Sequence, residues 1–370
     1  MAYLQNLALR QFRNYESLRV EFAPGANVLL GANGQGKTNL LEAIGFLSLL
    51  RSFRTTLVSD LWRWHTRQFV IVGEFDGGPC RRLAVEYGEK RRLRADGQGI
   101  GRASDFIGRF FCAAFVPEDI GLPRGAGSAR RRFLDSTLSQ LYPEYLAVLQ
   151  DYTRALKSRH LLLRAETVDE AALRAYDGVL ANRGGVICRY RAEFAVTFAP
   201  YITKAAAEFY PPAHELALPF RPSLRVEAPT SGAPLTAADY EVALAAALVA
   251  NRERDRHRQQ TCTGPHRDDF GFTLNGQDLE RFGSEGQCRL AVMALKTALT
   301  DLLLAQRRDQ AVLMLVDDVI GELDERGRRA FFAALRRADQ VFLAATDKRV
   351  LDLLPGAAVF AVAGGTVTRR

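Results

Sequence analysis

The chain has 370 residues, 48% of them hydrophobic and 25% charged, a balance that excludes disorder and allows one large domain or two unequal ones. Nowhere do apolar residues run to the roughly 18 that a membrane helix needs, and the opening MAYLQNLALRQFRNYE lacks a basic start followed by an apolar block. The net charge of +8 favours polyanionic partners, while five scattered cysteines, Cys80, Cys112, Cys188, Cys262 and Cys288, never form a C-x-x-C pair and so indicate neither a disulfide framework nor a zinc knuckle. A cytoplasmic protein without transmembrane helix or signal peptide is expected.

Strands come first. LQNLAL and SLRVEF alternate apolar and polar residues as half-buried strands do, and ANVLL at Ala26–Leu30 leads into the glycine-rich GANGQGKT. Beyond it Leu40, Leu41, Ile44 and Leu47 fall at helical spacing, so a loop sits between a buried strand and a helix. From Gln68 to Leu93 the period returns to two, punctuated by DGGP and YGEK turns, which predicts an antiparallel meander.

From about Ser128 to Tyr210 the pattern is helical, first RRRFLDSTLSQLYPEYLAVLQDYTRALKSRHLLL and then a stretch from about Val168 to Tyr210. The apolar stripes break at Gly184 and Gly185 instead of sustaining heptads, so packed helices are expected and a long coiled coil is not. LALPFRPSLRVE reads as a strand region, and a helix capped by Thr236 follows. The last third alternates SEGQCRLAVMALKTALTDLLLA, the apolar strand AVLMLV, the helix DERGRRAFFAALRRA, the strand VFLAA and short strands around VFAV and GTVT. Apolar strands alternating with helices indicate a parallel sheet covered on both faces, which the N-terminal strands are expected to join.

Only six of the 50 basic residues are lysines, so placement says more than abundance. Arg81–Arg102 and the triplet Arg130–Arg132 concentrate positive charge, a pattern that suits both a solvated strand face and a phosphate-contacting surface.

The chemistry begins at Gly31, Ala32, Asn33, Gly34, Gln35, Gly36, Lys37 and Thr38, the G-x-x-x-x-G-K-T pattern of a P-loop. Its glycines let backbone N–H groups face phosphate oxygens, Lys37 brings charge to the outer phosphates, and the Thr38 hydroxyl is a magnesium ligand. The other half of the site lies near the far end of the chain. Asp317 closes an apolar strand, where it can hold magnesium, and Asp318 follows as the base for an attacking water. A site split in this way requires everything between to be inserted into one ATPase domain. Ser284-Glu285-Gly286-Gln287 begins a helix ahead of the aspartate strand, and a helix N-terminus is an anion site. In this order of elements its natural target is the γ-phosphate held by a second copy of the chain. No N-K-x-D guanine-reading motif occurs.

The matches then extend through the chain: FRNY at Phe12–Tyr15, GANGQGKTNLLEAI, SFRT at Ser52–Thr55, FVPEDI at Phe115–Ile120, RRRFLD, TGPHRDDFGF at Thr263–Phe272, SEGQCR and LVDDVIGELD. With these motifs the chain resembles the RecF family of DNA recombination and repair proteins, relatives of the SMC and ABC-type ATPases. The resemblance implies an α/β fold: an ABC-type P-loop ATPase head over 1–115 and 255–370, with a compact, mainly helical arm inserted at 116–254. It implies ATP and Mg2+ as ligands, homodimerisation on ATP binding, and recombination mediator proteins as partners. DNA is expected as duplex beside gapped or single-strand junctions. Weak, DNA-stimulated ATPase activity used as a switch is expected as well. Carried over, Lys37 and Thr38 hold phosphates and magnesium, Asp317 the metal, Asp318 the attacking water, and Ser284, Gly286 and Gln287 act across the dimer. Arg13, Asn14 and Arg54 become further nucleotide contacts. Three departures stand out: Glu285 replaces the usual Gln or Gly, Gly321 the usual Ser, and Phe53 the common His.

His266 in GPHRDD reads as a hydrogen-bonded structural element before a metal ligand, and Asp268 and Asp269 as partners of Arg267. Trp62 and Trp64, flanked by arginines, suit either packing or stacking on a base or ribose. Two rival readings share the nucleotide motifs. A transporter's nucleotide-binding subunit has a much shorter loop-to-aspartate separation and no place for GPHRDD; a non-hydrolysing ATP-binding adaptor stays open because Asp occupies the base position.

Overall fold

In the computed structural model, which describes residues 2–227, 233–318 and 323–370, the two strand periodicities sort into two different sheets. The half-buried strands Tyr3–Phe12 and Tyr15–Glu21 join the meander strands Phe69–Asp76, Arg82–Tyr87, Arg92–Ala95 and Gln98–Ile100 in an antiparallel sheet with one solvated face. This corrects the expectation that the N-terminal strands join the parallel sheet. Only the apolar Gly25–Leu30 enters it, beside Gln340–Ala345, because a strand buried on both faces cannot tolerate polar alternation.

The second sheet runs Thr366–Arg369, Ala358–Ala363, Gly25–Leu30, Gln340–Ala345, Val312–Asp317, Phe111–Phe115. All neighbours are parallel except the edge pair Ala358–Ala363 and Thr366–Arg369. The helix Lys37–Leu49 packs against both sheets. Its Phe46 meets Phe69 of the antiparallel sheet edge to face at 5.5 Å, and a side chain at Gly45 would crowd Leu315 of the parallel one. Gly73 gives the room in the antiparallel sheet, since a Cβ there would lie 2.4 Å from Leu47 Cδ2. Buried on nearly every side, this helix is apolar all round with no strong amphipathic stripe. The other face of the parallel sheet carries the helices Glu285–Gln306 and Glu325–Leu335, the latter through Phe331 against Phe115 at 5.1 Å.

One buried amide fastens the two sheets. Gln340, fully buried at the start of its strand, accepts from Leu4 N–H at 2.8 Å and donates to Leu4 O at 3.0 Å and Ala23 O at 2.9 Å. Asn27 closes the same turn through the Ala23 N–H and carbonyl.

Contacts group these elements into one unit, Met1–Pro123 with Tyr201–Glu215 and Gly283–Arg370, and place Arg124–Pro200 and Leu216–Phe282 in another. The second unit is mainly helical, with Gly127–Leu141, Pro143–Leu163, most of Glu170–Phe209, Ala237–Ala250 and Arg252–Arg258. It takes in the 255–282 segment, where the pairing of GPHRDD differs from that expected. Asp268 binds Arg191 at 2.8 Å and Asp269 binds Arg130 at 2.7 Å, while Arg267 donates to the Thr261 carbonyl and Gln260. Arg159, fully buried, joins Asp177 and Asp255, each at 2.7 Å. Gly184 and Gly185 do not break their helix. Cβ atoms there would stand 2.4 Å from Leu244 Cδ2 and 2.5 Å from Ala237 O, so the pair admits the helix Ala237–Ala250 at close approach. Only Leu216–Ala217 and Phe220–Arg221 of the expected strand region are strands, and Thr236 caps its helix by accepting from Asp239 N–H.

His266 is structural: its Nδ1 meets Tyr152 Oη at 2.7 Å and its Nε2 meets Thr261 O at 2.9 Å. Burial, with help from nearby arginines and His160, pushes its pKa down to about 3.

Gln340→Leu removes the amide from Leu4 N–H and C=O, leaves the Ala23 carbonyl to Asn27 alone, and lowers the unfolding free energy by about 2–3 kcal/mol in urea denaturation; parental stability would contradict the fastening role. Because folded His266 stays neutral while the unfolded side chain protonates near pH 6.5, its contribution is complete above that pH and drains away as pH falls toward about 3. His266→Gln therefore loses less stability than the parent between about pH 7.5 and about pH 5. An equal loss would remove His266 as the source.

Candidate nucleotide site

The loop between Gly25–Leu30 and Lys37–Leu49 leaves the C-terminal edge of the parallel sheet, the place where such sheets bind ligands. Gly34 at φ 79° and Gly36 at φ 113° take backbone conformations that suit glycine. Crowding makes the same demand: a Cβ on Gly31 would lie 2.2 Å from Val362 O, and one on Gly36 would lie 2.6 Å from Asn14 Nδ2. The Tyr15 hydroxyl donates to Gly36 O at 3.0 Å, and Gln35 Oε1 accepts from Gly364 N–H at 2.8 Å, so the loop is held from two sides. Ala32, Asn33 and Gly34 form its outer turn and are exposed.

Lys37 folds back across the loop and donates from Nζ to Gly31 O at 2.6 Å and Ala32 O at 2.9 Å. Burial lowers its pKa, against the raising effect of Asp318 and Asp317. The two halves of the sequence meet at Thr38, whose Oγ1 donates to Asp317 Oδ1 at 2.9 Å across 279 residues of chain. Burial raises the pKa of Asp317, Asp318 and Glu118 add to the rise, and the Thr38 hydroxyl and Arg54 oppose it. Asp318 is exposed and stands at φ 44°, a left-handed backbone that costs a non-glycine residue free energy and turns the chain out of the strand. Gly321, one of the three departures, lies outside the described residues.

A hydroxyl and a buried carboxylate in contact, with a second carboxylate next in sequence and a lysine on the loop, fit a magnesium nucleotide. Mg2+ is characteristically held by one or two carboxylates together with phosphate oxygens and water. Among the described residues no cluster of three or more His, Cys, Asp or Glu side chains could hold a metal by itself.

Sequence reasoning did not single out Glu42, yet it organises the arginines. Four residues beyond Thr38 and fully buried, it takes Arg13 Nε and Nη2 in a bidentate pair at 2.7 Å each, accepts Ser52 Oγ at 2.5 Å, and lies 3.8 Å from Arg54. Arg13 Nη1 donates to Asp60 O at 2.6 Å, so this guanidinium is largely engaged by the protein. Arg54 donates to Asn39 Oδ1 at 3.0 Å, Asn39 to Asn14 Oδ1 at 2.8 Å, and Asn14 to Gln35 O at 3.3 Å. Arg13, Asn14 and Arg54 thus form one polar chain ending on the loop. The signal available in the sequence was a charged residue on the buried face of an apolar helix.

The structure brings Ser284, Gly286 and Gln287 together with one another but not onto the loop. Ser284 caps the helix Glu285–Gln306 in a reciprocal box: its Oγ accepts from Gln287 N–H at 3.2 Å, and Gln287 Oε1 accepts from Ser284 N–H at 2.8 Å. Further along, Lys296 pairs at 2.8 Å with Asp119, just past the end of the strand Phe111–Phe115. From Lys296 back to Glu285 the helix spans about 16 Å at 1.5 Å per residue. Glu285 leans on Arg289 at 3.5 Å.

Comparison with known proteins places this geometry. A family described as RecF/RecN/SMC N terminal domain matches residues 3–76. An Smc head domain from Pyrococcus furiosus, with an extended coiled coil and bound to the C-terminal domain of ScpA, shares the fold at TM-score 0.53 and 13% identity, covering 100% of this chain and 96% of that one. The fold is thus that of an Smc-type head domain. The structure of the recombination mediator protein RecF-ATP in the RecFOR pathway matches far more fully, with TM-score 0.87 at 27% identity over 100% of this chain and 98% of that one. By sequence the chain is 34% identical to the DNA replication and repair protein RecF of Streptococcus pneumoniae over 95% of each chain. It is 37% identical to the RecF of an Anaeromyxobacter species over 99% of this chain and 98% of the relative. The chain belongs to the RecF family.

Glu42→Ala leaves Arg13 without its carboxylate in a largely buried setting and lowers stability by about 2–4 kcal/mol in denaturant unfolding. A change below about 0.5 kcal/mol would show that the network is incidental.

Proposed function

We propose that the chain is an ATP-switched DNA clamp of recombinational repair and replication-fork maintenance. Two copies joined by ATP grip duplex DNA near single-strand gaps and help recombinase loading with mediator proteins, and slow hydrolysis releases the grip. The observation that carries the nucleotide reading is the Thr38–Asp317 hydrogen bond, which unites the loop with the aspartate pair. The printed names of the relatives, DNA replication and repair protein and recombination mediator protein in the RecFOR pathway, support the DNA reading, as does the net charge of +8.

In this reading the loop amides and Lys37 bind the phosphates, and Lys37 exchanges its carbonyl partners for phosphate oxygens. A magnesium ion at Thr38 and Asp317 would neutralise phosphate charge. Asp318 orients the attacking water and accepts its proton. Ser284 can donate its hydroxyl hydrogen while its oxygen still accepts from Gln287 N–H, so the capping box is compatible with phosphate binding. Ser284, Gly286 and Gln287 serve the nucleotide of a second copy. Arg13, Asn14 and Arg54 line the nucleotide side, with Glu42 fixing the arginines. Among the described residues no helix is long and apolar enough to cross a membrane.

The test is equilibrium ATP binding, ATP turnover and sedimentation, with and without gapped duplex DNA. Lys37→Met loses ATP affinity by more than about 10-fold and stays monomeric with ATP. Asp318→Asn keeps ATP binding, slows turnover about 100-fold or more and prolongs the dimer. A parent that stays monomeric with ATP and ignores DNA would sink the clamp reading, and unchanged ATP binding in Lys37→Met would remove the site assignment.

A further inference from the structure

The helix Glu325–Leu335 sets a cation on either side of an aromatic ring. Arg328, Phe332 and Arg336 follow at intervals of four residues, and Arg336, just past the last turn, keeps a right-handed helical backbone, so the three share one stripe of the surface. All three line a groove of about 700 Å³ whose facing wall is the 352–355 segment, with Leu353 and Pro355. That volume is typical of a ligand site. The groove is shaped before anything enters it. Leu354 N–H donates to Leu351 O and Ala357 N–H to Leu354 O, each at 3.2 Å, which fixes the facing wall, and Arg336 Nη2 reaches across to donate to Leu353 O at 3.3 Å.

The middle of the groove is apolar and its ends are cationic. Arg328 and Arg336 are exposed, and neither meets a carboxylate among the described residues. The next residue shows the contrast: Arg337 is taken by Asp301 and Glu208. Two carboxylates also line the groove, Glu325, which Arg329 engages one turn on, and Asp352 on the facing wall, so positive charge stays in excess. Each open guanidinium keeps N–H groups in the fork geometry that suits a carboxylate.

We propose that this groove binds an extended acidic segment of a partner protein, in which two carboxylate side chains flank an apolar one at alternate positions. From Arg328 to Arg336 the helix advances about 12 Å. An extended chain covers that distance in about four residues and points every second side chain the same way. Carboxylates at the first and fifth residues then meet Arg328 and Arg336, and the apolar third residue faces Phe332, Leu353 and Pro355. Charge alone would also attract nucleic acid. A phosphate backbone, however, carries charge at every unit and would set one over the apolar middle, where it has no partner.

The test is fluorescence anisotropy on the full chain with a labelled peptide, Gly-Asp-Ser-Leu-Ser-Asp-Gly, its isomer Gly-Asp-Asp-Leu-Ser-Ser-Gly, and a short single-stranded oligonucleotide as competitor. The parent binds the ordered peptide with Kd below about 1 mM and the isomer about 10-fold more weakly. Arg328→Ala and Arg336→Ala each weaken the ordered peptide about 10-fold, the loss of one charge-assisted contact, and bind ATP as the parent does. Arg19→Ala, which removes an exposed charge from the antiparallel sheet, leaves peptide binding unchanged. Equal binding of peptide and isomer overturns the proposal, and so does full affinity in both arginine variants. Displacement of the peptide by the oligonucleotide at a lower concentration than by unlabelled peptide would give the groove to nucleic acid. Absence of peptide binding at about 1 mM would leave the groove without its ligand and overturn the proposal as well.

Discussion

Burial of the helix Lys37–Leu49 on nearly all sides is the constraint on which the site depends. An antiparallel sheet closes on one side of it and a parallel sheet on the other, so its polar residues cannot all reach water. Each must find a partner within the protein or at the loop. Lys37 finds carbonyl oxygens across the loop, Thr38 finds Asp317, and Glu42 finds Arg13 and Ser52. The candidate nucleotide site is the set of partners that this burial demands. Gln340 holds the enclosure shut, because its amide joins Leu4 of one sheet to a strand of the other.

The same constraint explains the length of the chain between the motifs. Gly25–Leu30 and Val312–Asp317 flank Gln340–Ala345 in the sheet, so the C-terminal third must return between and beside N-terminal strands. The helical unit is accommodated as an insertion. Its interior is held by buried ion pairs, Arg159 with two aspartates and Arg191 with Asp135 and Asp268. Removal of one member of such a group is costly, which gives GPHRDD a structural role without any metal chemistry.

Much of this was readable in the residues. GANGQGKT, the fully apolar strand and the aspartate pair are short patterns whose chemistry is local, and the structure assembles them in one place. The Ser284 cap and the Thr236 cap were readable for the same reason. What escaped were the consequences of pairing at long range. Alternating strands announce a half-buried sheet but not which sheet, so the N-terminal pair was assigned to the wrong one. Gly184 and Gly185 look like breaks until the crossing helix that needs their missing side chains is in place. Asp268 and Asp269 took partners from distant helices in preference to the adjacent Arg267, and Glu42 was hidden inside an apolar helix.

If Ser284 serves the nucleotide of another copy, each chain contributes half of two sites, and two differently damaged chains must repair each other. The direct measurement is ATP-dependent association and turnover for Lys37→Met, for Ser284→Arg, and for an equal mixture of the two. Each variant alone is inactive in association. The mixture regains it, because one of its two sites combines an intact loop with an intact Ser284. A mixture as inert as its components, or a Ser284→Arg variant that associates like the parent, would contradict the composite site.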